Sequence, residues 1–532
     1  MGIEVRSDCA PQSARPPRLE IKPLFLISYS SNSNVSGLIS VRTVFAGAGS
    51  NQRSADVRDL IANVGNARER SRELPAGWTL IALFAAAVAH AQTAAPSPAD
   101  STANNALTYK GITLYGTVDL GLQYQTHGAP TSDFFPAGSA DIVQKNSNHS
   151  ISGVTPSNLS QSKIGLQGVE LIGGDWSAVF RLEAFFNPQS GEISDALKSL
   201  VQNNGRSVAS GTQTTNLDSS VAGQPFQQAY AGVSSKSIGT FTFGRQNTLL
   251  ADGITKYDPN AASQAFSLIG LSGTTAGGGD TQDRRLDSSL KYVATYADIV
   301  HAGAMYKPSE GNGISNSAYQ ISLGAEYAGA SVDAYYVKVH DAISASPLSA
   351  DQVNLLPSLG FSVNNSLAGT ISDNTSYSIM GLYNLGIVKL FAGYEHISFA
   401  NPRTPLAAGF DDIGGYTLAF VNNTAFPADK VLQVFWAGAK YKVLPNVELT
   451  AAYYGYKQNS YGTGASAGCS TSVAGTCSGT MDAFSLDAVW RVSKRFDAYA
   501  GALYTGVHDG LANGYVFHTT DINPTVGVRF SF

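Results

Sequence analysis

Residues 320–327 read QISLGAEY, and the parity of that stretch decides the fold. Ile321, Leu323, Ala325 and Tyr327 share one side, while Gln320, Ser322, Gly324 and Glu326 share the other. A period of two with one oily and one wet face is the mark of a strand that divides two solvents. The pattern recurs at Leu114, Val118, Leu120 and Leu122 against Thr113, Thr117, Asp119 and Gln123. It closes the chain with Val526, Val528, Phe530 and Phe532 against Thr525, Gly527, Arg529 and Ser531.

Working outward, sixteen such segments follow from residue 112 to the end, among them a ninth at 330–340 and a tenth at 372–384. Their connections alternate in length. Tight links at Gly173–Gly174, Ala328–Gly329, Leu385–Gly386, Leu444–Asn446 and Ser493–Lys494 alternate with long stretches rich in Gly, Ser, Asn and Asp. Short turns at one end and long loops at the other are expected of an up-and-down barrel in an outer membrane. In hydrocarbon every backbone donor and acceptor must be paired internally, so strands can span only as a closed, edgeless cylinder. A soluble sandwich would also alternate, but it would seldom sort its loops by length and would carry more surface charge.

Composition agrees. Only 14% of the 532 residues are charged, 54 are Gly and 10% are aromatic, against about 25% charged in ordinary soluble chains. No stretch of about 20 apolar residues is present to make a membrane helix. A net charge of −5 gives no clustered basic surface for nucleic acid. The eight His are scattered without metal spacing, and no nucleotide-binding or hydrolase motif sits in a strand-to-helix context, so no cofactor, metal or catalytic residue is expected.

The N-terminal part reads differently. Trp78 to Ala89 (WTLIALFAAAVA) is an uncharged run preceded by Arg68, Arg70 and Arg72 and followed by Ala89-His90-Ala91. That order describes a secretory signal peptide over 76–91, cleaved after Ala91. Residues 1–75 then form an upstream extension, disordered or not translated, with synthesis starting internally at a codon read as Val64 or Leu74. Residues 92–111 lead into a barrel over 112–532. Of three cysteines, Cys469 and Cys477 remain after cleavage, close together among Gly, Ser and Thr. They read as a small disulfide closing a loop in an oxidising compartment.

Ordered segments of the chain resemble the Gram-negative general porins of Burkholderia, Bordetella and Neisseria relatives. They include ITLYGTVDLGL (112–122), SKIGLQGVE (162–170), QAYAGVSS (228–235), GTFTFGRQ (239–246), RLDSSLKY (285–292), AGAKYKV (437–443), ELTAAYYGYKQ (448–458), SKRFDAYAG (493–501), GLANG (510–514) and PTVGVRFSF (524–532). The resemblance implies an all-β, 16-stranded transmembrane barrel in the outer membrane, assembled as a homotrimer. It implies a water-filled passage for small hydrophilic solutes and ions, narrowed by a third long loop folded inward. Outer-membrane lipid and lipopolysaccharide would surround it. Phe532 matches the C-terminal aromatic shown to the barrel assembly machinery.

By the same resemblance the basic side of the constriction falls on Lys163, Arg245 and Arg285. Parity supports Lys163, because Ile164 and Leu166 take the lipid side. Arg245 shares parity with Phe241 and Phe243, so a lumen position requires a bulge near Gly244. Arg181 and Glu183, opposite Phe180 and Leu182, should also face water, as should Asp119, a hydrated lumen acid. The third loop, 248–285, is neutral from Pro259 to Gly279 and includes AFSLIGL. Its acids, Asp252, Asp258, Asp280 and Asp283, lie towards the ends. A neutral tip departs from the family's acidic one and predicts weak ion selectivity leaning to anions. Two other roles stay open: long loops acting as an adhesin or phage receptor, or a barrel hydrolase, for which no compact Ser, His and acid constellation is present.

Overall fold

The computed structural model describes residues 107–127, 133–134, 149–206, 225–271, 284–309, 316–469, 475–513 and 518–532. The expected signal peptide and upstream extension lie outside these residues, as do Asp280 and Asp283.

Each alternating segment forms a strand. They are β1 (Ile112–Gln125), β2 (Lys163–Gly173), β3 (Trp176–Phe185), β4 (Phe226–Ser235), β5 (Gly239–Asn247), β6 (Arg285–Tyr296), β7 (Val300–Lys307) and β8 (Ala318–Tyr327). The second half comprises β9 (Ala330–Ser346), β10 (Ser366–Asn384), β11 (Val388–Ala400), β12 (Lys430–Leu444), β13 (Val447–Gln458), β14 (Gly479–Arg491), β15 (Phe496–Asp509) and β16 (Thr520–Ser531). Consecutive strands pair antiparallel, and β16 returns to β1 from Thr117↔Ser531 to Gln123↔Thr525. The ladder therefore has no edge. The seam is finished by Phe532, whose N–H donates to the Gly116 carbonyl at 3.0 Å while the Gly116 N–H donates back. Its ring lies over Gly116 so closely that a Cβ there would sit 2.4 Å from the ring.

The chain is inside out relative to a soluble protein. Leu323, Leu486, Ile321 and Phe484 are more than half exposed, whereas Asp119, Gln320, Ser376 and Glu395 are at most 1% exposed. Lipid receives the first set, and the bore and its inner packing receive the second. Aromatic rings mark the outer belt: Phe435, Tyr453, Phe484 and Tyr504 follow one another across β12 to β15 with centroids 4.8–6.5 Å apart. Short turns all lie at one end. Ala328 and Gly329, at φ 52° and 84°, make the two-residue left-handed turn whose twist suits a hairpin.

Two strands outrun their predicted ends by far the most. β9 continues beyond 340 to Ser346 and β10 begins at Ser366 rather than 372, with a register shift between Val339 and Ala342. Above that shift the hairpin leaves the barrel wall and gains further strands. Tyr416–Asn422 pairs parallel with the start of β10 and antiparallel with Phe410–Ile413. Four helices accompany the sheet among the described residues: α1 (Ala196–Val201), α2 (Leu249–Tyr257), α3 (Leu268–Leu271) and α4 (Ala350–Leu359).

Candidate functional site: the narrowed bore

The third long loop enters the barrel because it is too apolar to remain outside. Thr248 caps α2, accepting from the Ala251 N–H at 3.1 Å. The helix then buries Leu249, Leu250, Ile254 and Tyr257 against inward residues of the wall, including Met305, Tyr335, Val337, Met380 and Val434. Asp252 and Lys256 remain on its wet side, at 48% and 36% side-chain exposure. Polar ties hold the same surface. The Leu250 N–H donates to Gln320 Oε1 at 3.1 Å, and Tyr257 donates to Asp333 Oδ2 at 2.6 Å. Trp436 Nε1–H donates to the Tyr257 carbonyl at 3.0 Å.

Beyond α2 the loop follows the wall from β12 to β15. Asp258, expected to line the constriction, is 1% exposed and faces the wall. Its Oδ1 accepts from Tyr454 at 2.6 Å and from the Asn260 N–H at 3.2 Å, and its Oδ2 accepts from the Ala262 N–H at 2.6 Å. Burial raises this carboxyl above the ordinary range, partly offset by those donors. It is an anchor of the loop and not a free charge in the passage. Asn260 reaches Ser485 at 3.0 Å, and Phe266 meets Tyr499 edge to face.

The middle of the loop rests on a knuckle of residues 157–162. Strand Ile151–Pro156 completes the upper wall beside β1, and the chain then turns inward at Ser157, φ 59°. The Ala265 N–H donates to the Asn158 carbonyl at 3.0 Å. Asp119 organises the knuckle. Its Oδ2 accepts from the Leu159 and Ser160 N–H groups at 3.0 and 2.8 Å, and its Oδ1 from Tyr499 at 2.6 Å. At 0% exposure it is a structural hub, which corrects the expectation of a hydrated lumen acid.

With β7 to β15 covered by the loop, β2 to β6 form the uncovered side of the bore, and most of the predicted charges fall there. Lys163 pairs with Glu183 at 3.1 Å. Glu183 also accepts from Tyr115 at 2.9 Å and from Gln228 at 3.1 Å. Arg181 donates to Gln167 Oε1 at 2.7 Å and stacks over the Tyr115 ring. The β5 register shifts between Gly244 and Gln246, with Gly244 at φ 126°. Arg245 thereby leaves the parity of Phe243, meets Asp287 at 2.5 Å and is 9% exposed. Arg285, 5% exposed, lies over the Phe185 ring at 4.8 Å. From the loop side Asp252 reaches across to Lys291 at 2.5 Å.

Tyr115, Asp287 and Lys291 belong to this network and were not singled out from the sequence. Parity held the signal for two of them: Tyr115 alternates with Leu114, and Lys291 with Leu290. Cys469 and Cys477 are bonded, with Cα atoms 5.1 Å apart, in the long loop between β13 and β14.

A sealed cylinder with an oily exterior, a charged bore and a loop packed inside it defines a membrane diffusion channel. A family model described as Gram-negative porin matches residues 77–509, and the chain belongs to that family, an outer-membrane channel. An outer membrane porin protein of Bordetella pertussis is 25% identical over 313 residues, 57% of this chain and 70% of the relative. The anion-selective porin from Comamonas acidovorans superposes with a TM-score of 0.50 at 18% identity, over 79% of this chain and 99% of that one. OmpT lacking loop L8, an outer membrane protein of Vibrio cholerae, gives 0.49 at 13% identity, over 79% and 99%.

Proposed function

We propose that the channel passes small hydrophilic solutes and ions with a weak preference for anions, and that Lys163, Arg181, Arg245, Arg285 and Lys291 set that preference. The observation that carries this reading is an imbalance of partners. Glu183, Asp287 and Asp252 are each engaged by one cation. Arg181 and Arg285 have no carboxylate within ion-pair distance among the described residues, and the Nε of each is buried without a hydrogen-bond partner. Arg285 is 5% exposed; a guanidinium so buried is costly unless a negative charge comes to it, and low-dielectric walls extend the field of both cations across the bore. The Comamonas protein's anion selectivity accords with this. From Pro259 to Gly279 the loop carries no charge, so that stretch brings no acid of its own to the passage.

Family membership supports a homotrimer, with lipid and lipopolysaccharide around it. Phe532, paired at the seam, is proposed as the residue shown to the assembly machinery. Planar-bilayer recording tests the proposal. Under a tenfold KCl gradient the reversal potential should have the sign of chloride preference, Arg181→Gln with Arg285→Gln should move it towards zero, and closure should occur in three steps. Cation preference in the unmodified protein would refute the charge assignment. Single-step closure would refute the trimer.

A further inference from the structure

Above the bore the long loops build a roof, and two of its parts come from opposite sides of the mouth. One part starts at the top of β3, where the Ser194 N–H donates to the Phe185 carbonyl at 3.0 Å, and continues into α1. The other is the β9–β10 hairpin, six strands further round a ring of sixteen. This hairpin bends where its register shifts, at Asp341, φ 52°. The two parts meet in a dry seam. Leu197 and Leu200 of α1, at 1% and 0% exposure, pack with Ile343, Leu367, Ile371 and Leu418 of the hairpin and its added strand.

Polar bonds tie the same seam. Tyr416 donates to Asp195 Oδ2 at 2.9 Å. Asn204 Oδ1 accepts from the Leu348 N–H at 2.7 Å, and its amide donates to the Ser366 carbonyl at 2.7 Å. A strap with buried leucines and paired polar groups is closed at rest, because opening it would expose both to water. Loop 3 already narrows the passage at mid-height, so the roof lies in series with it.

We propose that this roof is a second size filter, closed by Leu197 and Leu200, so that solutes enter beside it and the mouth discriminates by size before the constriction does. The side chains buried in the seam, Leu197, Leu200, Ile343 and Leu367 among them, are apolar, so the filter acts on neutral solutes by size and is independent of the sign of ion selectivity.

Proteoliposome swelling with neutral sugars, from monosaccharide to tetrasaccharide, tests it. Leu197→Asp with Leu200→Asp should leave the monosaccharide rate within about twofold of the unmodified channel. The rate for the largest sugars should rise about fivefold or more. A gentler pair, Asn204→Ala with Tyr416→Phe, should move the large sugars the same way by about twofold without burying charge. Heat-modifiable mobility on gels reports that each barrel is folded. If the size profiles of the folded variants coincide with the unmodified one, or rise in equal proportion for every sugar, the roof is no filter. Should the aspartate pair fail to fold, the gentler pair decides alone.

Discussion

The constriction loop leans on a tryptophan that exists in its position only because a glycine faces it. Gly393 and Trp436 are cross-strand neighbours on β11 and β12, and a Cβ at Gly393 would lie 2.0 Å from Cζ2 of that indole. Carbon atoms need about 3.5 Å, so Gly393→Ala must push the ring roughly 1.5 Å off the wall, into the loop it supports. Overpacking of this kind costs about 1–3 kcal/mol. Pulling Nε1 from the Tyr257 carbonyl leaves a buried donor alone for about another 1–3 kcal/mol. The combined range, about 2–6 kcal/mol, falls on loop docking and not on the ladder; even its lower end shifts the docked equilibrium about 30-fold. Single-channel recording should show more open-state flicker and a larger mean current, with unchanged heat-modifiable mobility. Gly381→Ala is the milder comparison, since its Cβ would meet tight contacts at 3.2 and 3.3 Å that a shift of a few tenths of an ångström relieves. Traces of Gly393→Ala indistinguishable from the unmodified channel would refute the view that Trp436 carries the loop.

Further outcomes follow from the same geometry. Leu323 is 62% exposed on the outer face, so Leu323→Arg should destabilise the barrel by about 2–4 kcal/mol and lower the temperature of its gel-mobility shift, while Leu323→Phe should not. Asp258 holds its proton more tightly in the docked loop than in a hydrated one, because burial raises its carboxyl. Docking is therefore strongest at acid pH and weakens as pH climbs from the ordinary carboxyl range through the raised value. Flicker should increase over that window, and Asp258→Asn should flatten the profile; an unaltered profile would put the titrating group elsewhere.

The strands were legible because a wall between lipid and water imposes one rule on every second residue. QISLGAEY and TVGVRFSF obey it without help from distant chain. The rule fails where the second solvent disappears. His340-Asp341 and Ala342-Ile343 break the period of two, and in the roof beyond them Ser344 and Ala345 are both buried, so parity ends the ninth strand at 340. The charged side of the bore was partly legible for the same reason: Lys163, Arg181 and Glu183 follow parity, and Arg245 follows once a glycine bulge is allowed. Asp258 and Asp119 misled, because an acid in a loop or on a wet face reads as solvated unless its partners are visible. Those partners, Tyr454 and Tyr499, lie 196 and 380 residues away along the chain.

The bend at Asp341 also separates two tasks carried by a single strand. Below it, Asp333, Tyr335, Val337 and Val339 cradle α2; above it, Ile343 and Ala345 belong to the canopy. The hairpin is thus modular along its own length. Its outer storey could be replaced by a tight two-residue connection without touching the residues that seat the inner loop, giving a vessel that keeps its lower narrowing under a wider throat.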